Sequence, residues 1–519
     1  MSRTIIIGSR GSALAKWQAD YTCDELKKLG YQVEIKYIKT QGDIINQLTF
    51  DKLEGKGFFT KEIEEELVHG TIDLAVHSYK DLPTDNPPGL IVAGCSYSED
   101  PADWLLIKQN AYDDNQPLKL KQGAVVGTSS ARRKSQLLAL RPDLTMRDIR
   151  GNVPTRVEKL DTADYDAIVL AAAGLNRLEL DVSRHHTERL RVLECVSAPA
   201  QGVLAYQIRE NDNFMQAVIG HLNDPDVARD IAVERGILKK LGGGCQQPIG
   251  VYCETIASGE QAVWVAYAKA WNDFPQRVFM ADRNAKRLVE RVVETLKNRG
   301  NKSVFITRNL QPDSFFSRAL AHYGYTVYAQ SLLHFEAIAF DPHLPNADWV
   351  FFSSKNGVEF FFDQKPILPP NIKFAAVGEA TANAVKKYGY KTSFVGMGAD
   401  TTLVAFEFAA VARDKHILFP QPANSLQTVQ KVLGDVIKAK TLVVYQNTPI
   451  AHFDIPVCDI LLFTSPANAQ NYYRKYPVLP HQKIIAIGTT TARALSNMGI
   501  HDYVISHSSH EISLVDICY

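Results

Sequence analysis

Thr4-Ile5-Ile6-Ile7-Gly8-Ser9-Arg10-Gly11-Ser12 reads as a short buried strand, Thr4 to Ile7, running into a Gly/Ser turn. The residues that follow, Ala13 to Leu29, read as a helix. Strand, small-residue turn and helix in that order aim free backbone N–H groups at an anion. The unit recurs. Residues 33 to 38 predict a strand ending in Thr40-Gln41-Gly42-Asp43, and 61 to 69 a helix entered through Lys56-Gly57-Phe58-Phe59-Thr60. Residues 74 to 76 predict a strand leading into His77-Ser78-Tyr79-Lys80-Asp81-Leu82-Pro83. A second set begins near residue 100: Val125-Val126 feeds Gly127-Thr128-Ser129-Ser130-Ala131-Arg132-Arg133, then come Arg150-Gly151-Asn152-Val153-Pro154-Thr155-Arg156 and Ala171-Ala172-Ala173-Gly174-Leu175-Asn176-Arg177. Repeated strand–loop–helix units predict α/β layers with the functional loops at the strand carboxyl ends. Residues 218 to 297 predict a smaller third unit, with a helix from 227 to 241, a strand pair between 250 and 270 and a closing helix from 284 to 296.

The chain has 519 residues, 57 Lys and Arg against 57 Asp and Glu. A field that sums to zero favours neither nucleic acid nor an anionic membrane, so anion binding has to come from local placement of arginines. Seven scattered cysteines without a CxxC pair fit reduced thiols rather than a disulfide framework. No window reaches the length of a membrane span and the first residues do not read as a signal peptide. The expectation is a cytoplasmic protein. His185-His186 reads as a solvated pair in a charged helix-like stretch, and no third ligand is spaced to complete a metal site.

Two features carry chemistry. Leu241-Gly242-Gly243-Gly244-Cys245-Gln246-Gln247-Pro248 puts three glycines in front of one thiol, which lets backbone bend and a bulky group approach the sulfur. That suits a covalent attachment or a nucleophile; an inert thiol in a Gly-rich turn is the other reading. Arg10, Arg132, Arg133, Arg150, Arg156 and Arg177 fall in loops after strands or at helix starts, beside the neutral donors Ser12, Thr128, Ser129 and Ser130. Guanidinium forks bind carboxylates bidentately, so the set points to a polycarboxylate, with phosphate as the rival. Asp81, beside Lys80, is a general acid/base or stabiliser of a cationic intermediate, or else a turn residue.

Residues 4 to 297 resemble porphobilinogen deaminase (hydroxymethylbilane synthase) through Ser9–Ala15, Thr40–Asp43, Lys56–Glu62, His77–Pro83, Gly127–Arg133, Arg150–Arg156, Ala171–Leu175 and Gly243–Cys245. The resemblance implies a two-lobed fold like the periplasmic binding proteins, with a small α+β third domain. It implies that Cys245 holds a dipyrromethane cofactor through a thioether, the primer on which four porphobilinogen units are joined with loss of ammonia to give hydroxymethylbilane. Asp81 is then the catalytic carboxylate. Lys80, Ser78, Thr128, Ser129, Arg132, Arg133 and Gly151 contact the cofactor. Arg10, Ser12, Arg150, Arg156, Arg177, Phe58 and Gln201 contact the substrate. Ala200 stands where the family usually has glycine, and Gln41 where lysine is common.

After the polar break at residues 299 to 302 the sequence repeats itself. Asp348-Trp-Val-Phe-Phe-Ser-Ser-Lys-Asn-Gly357 recurs as Asp459-Ile-Leu-Leu-Phe-Thr-Ser-Pro-Ala-Asn468, and Ala376-Val-Gly-Glu-Ala-Thr-Ala as Ala486-Ile-Gly-Thr-Thr-Thr-Ala. A near-constant offset of about 110 residues marks an internal duplication, two similar lobes with a cleft between them. These loops resemble uroporphyrinogen-III synthase, which implies ring closure of hydroxymethylbilane with inversion of its last ring. Ser353, Ser354, Ser465, Thr490, Thr491 and Tyr472 are the candidate contacts. The tyrosine some members carry aligns with Asn471, with Tyr472 one step on.

The sequence therefore predicts a multidomain α/β chain: deaminase domain 1 at 1–98 plus 196–217, domain 2 at 99–195, domain 3 at 218–298, synthase lobe 1 at 299–340 plus 446–519 and lobe 2 at 341–445. It predicts a monomeric bifunctional enzyme with one covalent dipyrromethane, no metal, and no nucleic-acid or membrane partner. The alternatives are an active deaminase with a non-catalytic C-terminal half and a non-catalytic anion-binding module.

Overall fold

A computed structural model describes residues 3–40, 60–243, 247–298, 300–311, 313–396 and 401–519. Chain contacts divide the protein into two units, Met1–Arg299 together with Tyr519, and Gly300–Cys518.

The first unit begins β1 (Ile5–Arg10), α1 (Ala13–Lys28), β2 (Val33–Ile38), α2 (Lys61–Val68), β3 (Leu74–Ser78) and β4 (Leu90–Cys95). It continues β5 (Asp103–Ile107), β6 (Val125–Gly127), α3 (Ala131–Leu140), β7 (Thr145–Arg147), α4 (Val153–Thr162), β8 (Ala167–Ala171), α5 (Ala172–Arg177) and β9 (His186–Arg189). The chain then returns through β10 (Leu204–Arg209) and α6 (Asn213–Gly220). Two five-stranded sheets result, ordered β2-β1-β3-β10-β4 and β7-β6-β8-β5-β9. Both are mixed: β1 lies parallel to β2 and β3 while β10 runs antiparallel to β3 and β4, and β6 lies parallel to β7 and β8 while β5 runs antiparallel to β8 and β9. The central strand β8 is an unbroken apolar run, and β3 opens on Leu-Ala-Val before His77 and Ser78; each is buried over its first four residues.

The chain crosses between these sheets twice, at 96–102 and 190–203. The crossings run side by side, Glu99 N–H donating to Gly202 O at 3.2 Å. Gly202 has φ +92, and a Cβ there would meet Glu99 O at 2.4 Å, so backbone approach demands glycine.

The first unit ends with α7 (Pro225–Lys240), β11 (Ile249–Thr255), β12 (Gln261–Tyr267), β13 (Gln276–Asp282) and α8 (Ala285–Lys297). Asp224 caps α7, Pro225 fits its first turn, and Lys239 and Lys240 complement its dipole. The three strands form one antiparallel sheet, so the expected strand pair is corrected to three. The third strand, Gln-Arg-Val-Phe-Met-Ala-Asp, lacks a clean alternation and its outer half is only part-buried.

The second unit holds two sheets. One is ordered β15 (Thr326–Ala329), β14 (Ser303–Ile306), β22 (Ile460–Phe463), β23 (Lys483–Ala486) and β24 (Val504–Ile505), all parallel. The other is ordered β16 (Leu333–Ala337), β21 (Lys438–Pro449), β20 (His416–Pro422), β17 (Trp349–Phe352), β18 (Lys373–Ala376) and β19 (Thr392–Val395), parallel apart from β16. Leaving out β16, the two orders are the same, with β20 in the place of β14 and β17 in the place of β22. The repeat extends to details. Asp459 accepts from Ser303 N–H at 2.7 Å as Asp348 accepts from His416 N–H at 2.8 Å. Ser465 and Ser354 each cap the following helix, and Gly488 and Gly378 precede helices of 9 residues each.

Candidate functional site

β1 runs further than the sequence suggested. Gly8, Ser9 and Arg10 pair with Lys36, Tyr37 and Ile38, so Arg10 ends the strand instead of lying in the turn. Ser12 caps α1, accepting from Ala15 N–H at 3.4 Å. Gln18 of α1 donates to Ser78 Oγ at 2.8 Å, which fixes the end of β3. Tyr79–Asp81 then form one 3-10 turn that presents Lys80 and Asp81, the latter exposed.

In the second sheet, Ser130 caps α3 and brings Arg132 and Arg133 into its first turn. Both are buried, 5% and 6% exposed, and converge on Asp103 at the start of β5. Arg132 Nη1 donates to Asp103 Oδ2 at 2.6 Å and to Val196 O at 2.8 Å; Arg133 Nη2 donates to Asp103 Oδ1 at 2.7 Å. Gln201 closes the cluster, donating to Asp103 Oδ1 at 3.0 Å and accepting from Lys80 Nζ at 3.2 Å. Each fork is thus partly used on an internal carboxylate. Burial alone would raise the Asp103 pKa, but the two guanidiniums outweigh it and hold the carboxyl well below its usual range.

Burial, opposed by Asp81 and reinforced by Arg133, pushes Lys80 down to about 8. Burial and Arg133 likewise lower Arg156 to about 10, with Asp81 opposing. Asp81 therefore stands within electrostatic reach of Lys80 and Arg156. Arg156 Nε donates to Gly151 O at 2.7 Å, and Gly151 has φ +117, where a Cβ would meet Thr155 Cβ at 2.9 Å. Lys159 Nζ donates to Arg150 O at 2.9 Å. Ser129 Oγ donates to Ile149 O at 2.9 Å, and Thr128 Oγ1 accepts from Ser130 N–H at 3.2 Å. Arg177 lies over Trp17 at 5.3 Å and donates to Gly202 O, while its Nε is buried with no partner among the described residues. Lys80, Arg132, Arg133 and Arg156 thus lie near Asp81 and Asp103, an excess of cations.

Cys245, Phe58 and Gln41 lie outside the described residues. The flanks of Cys245 are described: Gly243 N–H closes on Leu238 O at 3.0 Å beyond α7, and Ile249 opens β11. The six described cysteines are all buried. Burial pushes Cys95, Cys195 and Cys518 up to about 12 and also raises Cys253 and Cys458. Such thiols are poor nucleophiles.

His185 is not solvated. It is buried against Asp161 at 2.8 Å, and His186 begins a strand, because β9 folds back along β5. Among the described residues no cluster of His, Cys, Asp and Glu could hold a metal, and no helix is long and apolar enough to cross a membrane.

His77 is buried and bonded to Gln207 at 3.2 Å; Gln207 donates to Glu64 at 3.1 Å. Burial, with Arg10 nearby and Gln207 opposing, pushes His77 down to about 4. A base depressed in the folded state contributes stability that is complete above its unfolded value and is lost as pH falls from there toward about 4. The loss amounts to about 3 kcal/mol. A melting series from pH 7 to 5 is expected to fall less steeply for His77→Gln than for the parent; equal slopes would contradict this.

In the second unit, Ser354 accepts from Gly357 N–H at 3.1 Å and Ser465 from Asn468 N–H at 3.3 Å, while Ser353 and Thr490 are exposed. Thr491 is buried, as is Thr381 at the matching place in the repeat. Tyr472 is corrected to a core residue. It is 3% exposed, with its ring 5.8 Å from Phe305 and 5.5 Å from Phe463, and burial pushes it up to about 12. Asn471 braces Leu332 O and Ile450 O at 2.8 and 3.1 Å. Sequence reading missed Arg308. It follows β14 beside β22, where the crossovers of the sheet part to either side, the usual place for a ligand in such sheets. Arg308 bonds Glu511 at 3.0 Å, and its Nε is buried without a partner among the described residues. Burial, and then Arg308, lower the Lys355 pKa, so the two cations feel each other across the two sheets.

Residues 5–217 match the family model described as Porphobilinogen deaminase, dipyromethane cofactor binding domain. Residues 314–516 match the model described as Uroporphyrinogen-III synthase HemD. The porphobilinogen deaminase of Bacillus subtilis (strain 168) is 41% identical over 321 residues, covering 58% of this chain and all of that protein. That of Bacillus cereus (strain G9842) is 47% identical over 252 residues, 48% of this chain and 80% of the relative. A solved uroporphyrinogen-III synthetase of Helicobacter pylori 26695 aligns at TM-score 0.31 and 21% identity over 41% of this chain and 96% of its own. The chain belongs to the porphobilinogen deaminase family and carries a uroporphyrinogen-III synthase HemD domain in the same polypeptide.

Proposed function

We propose that the chain converts porphobilinogen to uroporphyrinogen III in two stages, joining four porphobilinogen units into hydroxymethylbilane with loss of ammonia and then closing the ring with inversion of the last unit. The observation that carries the first stage is the cluster of Lys80, Gln201, Asp103, Arg132 and Arg133 beside exposed Asp81. Porphobilinogen bears two carboxylates, and cations held in place by an internal carboxylate cannot swing away when it arrives.

The residues present fit a dipyrromethane: the cationic excess of Lys80, Arg132 and Arg133 around Asp103 suits its carboxylates. Cys245 would anchor it, and Lys80, Ser78, Thr128, Ser129, Arg132, Arg133 and Gly151 would hold it. When bound, it supplies the pyrrole end to which units are joined. Arg10, Ser12, Arg150, Arg156, Arg177, Phe58 and Gln201 would orient the incoming unit. Asp81, near Lys80 and Arg156, would offset the positive charge that develops as ammonia leaves and accept the pyrrole proton at its carboxylate.

We place deaminase domain 1 at 1–98 with 196–217, domain 2 at 99–195 and domain 3 at 218–298. Synthase lobe 1 is placed at 299–340 with 446–519 and lobe 2 at 341–445. The two mixed sheets joined by a double crossing support a two-lobed deaminase core like the periplasmic binding proteins. In the synthase half, Ser353, Ser354, Ser465, Thr490 and Arg308 are the proposed carboxylate contacts. The same reading makes the chain a cytoplasmic monomer acting on small molecules.

Feeding porphobilinogen to the intact chain and separating the oxidised products tests both stages. The type III isomer is expected. The type I isomer alone would overturn the second stage, leaving spontaneous closure after an active deaminase. No consumption of porphobilinogen would overturn the first.

A further inference from the structure

We infer that Glu234 and Arg235, adjacent on α7, are positioning residues that hold the Asp81 turn and the Gln201 loop in fixed relation to one another. The inference rests on the reading of Asp81 and Cys245 given above. α7 ends at Lys240, a few positions before Cys245 in the sequence.

Arg235 grips the Asp81 turn. Its guanidinium donates to Tyr79 O at 3.4 Å, to Leu82 O at 3.3 Å and to Pro83 O, and stacks on the Tyr79 ring at 4.6 Å. Three carbonyls that bracket Lys80 and Asp81 thus meet one planar fork, a geometry that lysine cannot reproduce. Nearby, Lys239 Nζ pairs with Asp85 at 2.7 Å on the surface, a weaker tie of the same sense.

Glu234 points the other way. It is 4% exposed and accepts from Ala200 N–H at 2.6 Å and Cys253 N–H at 2.8 Å, one bond on each oxygen. Ala200 has φ +61, a left-handed conformation that a non-glycine residue adopts only when its surroundings impose it. Glu234 is one such constraint, and the next residue is Gln201, which bonds both Lys80 and Asp103. The same loop is sewn to β11: Val251 N–H donates to Ser197 O at 2.9 Å, and a Cβ on Gly250 would meet Val196 O at 2.4 Å. Ile231, Val227 and Ala228 of α7 pack with Ala200, Val203, Cys95 and Tyr79. One helix therefore sets two segments that both end on Lys80. Glu234 and Arg235 bond backbone groups of these segments, so their effect passes through Asp81 and Gln201.

The test uses the full chain bearing Arg235→Gln, Arg235→Lys or Glu234→Gln. Intact mass reports the Cys245 adduct, hydrogen exchange reports peptides covering 79–85 and 197–203, and steady-state kinetics reports kcat and KM for porphobilinogen. For Arg235→Gln the expected result is a retained adduct and faster exchange confined to 79–85. Its kcat is expected to be about 10- to 100-fold lower with KM within about threefold. Arg235→Lys is expected to fall between the parent and the Gln variant, and Glu234→Gln to loosen 197–203 instead. Wild-type kcat in Arg235→Gln, or a loss of kcat that only tracks loss of folded protein, would overturn the inference. If the Gln variant does not fold, Arg235→Lys decides: a lowered kcat on a folded, loaded chain supports it and an unchanged kcat sinks it. Asp81→Ala runs alongside. Undiminished turnover there would sink the reading of Asp81 itself, whereas an inactive Asp81→Ala beside a fully active Arg235→Gln sinks only the coupling through α7.

Discussion

Cys245→Ser is expected to yield a chain with no covalent adduct and no consumption of porphobilinogen, whereas the parent carries one dipyrromethane. A thioether needs a sulfur nucleophile; a serine hydroxyl at neutral pH is far weaker unless a base activates it. The prediction is all-or-none because the other thiols offer no substitute. The six described cysteines are buried, and five have pKa values raised by that burial, so none can take over attachment at a useful rate. The change sits beyond the turn that closes α7, whose geometry is set by Gly242 at φ +68 and the Gly243 N–H bond to Leu238 O, not by the thiol. Melting of the variant is therefore expected to drop only by the contribution of the lost cofactor. Intact mass of both chains, before and after incubation with porphobilinogen, checks it. An adduct that persists in Cys245→Ser would move the anchor to a buried cysteine and contradict the assignment.

The layered α/β character was legible because β8 and the opening halves of β1 and β3 are short apolar runs followed by helical segments, a local signal. The duplication was legible too: Asp348 and Asp459 do the same job at the start of equivalent strands. What the sequence hid is long-range. Asp103 opens an ordinary apolar strand and finds its partners 29 and 30 residues away on a helix, with no spacing to betray it. Glu234 and Arg235 look like any surface pair on an amphipathic helix until the segments they grip, 34 and more than 150 residues off, are folded against them. Tyr472 was drawn into the site by an alignment one residue out of step; on a helix one step turns a side chain by about 100°, and here it turns the ring into the core between Phe305 and Phe463.

The second large effect is expected at Asp103. Asp103→Asn will lower stability by about 3–5 kcal/mol, because it leaves two buried guanidiniums facing a neutral amide. The amide can still accept one bond, but its nitrogen brings a donor against Arg132 or Arg133, both of which only donate. For a unit of this size such a loss lowers the melting temperature by roughly 10 °C. The pH dependence separates this from a simple packing defect. The folded pKa of Asp103 lies well below its unfolded value, so its contribution is complete above the unfolded carboxylate range and is lost only as pH falls through and beneath it. The difference between parent and Asp103→Asn is thus expected to stay constant across neutral pH and to shrink in acid. Function is affected separately. Gln201 donates to the same carboxylate and accepts from Lys80, so variant chains that remain folded are expected to load less dipyrromethane per mole by intact mass. Adding Arg132→Met to Asp103→Asn removes one stranded charge and is expected to recover part of the lost stability. A double variant less stable than the sum of the two single changes would mean that Asp103 contributes through packing, and that the arginine pair needs no counter-charge to stay at the site.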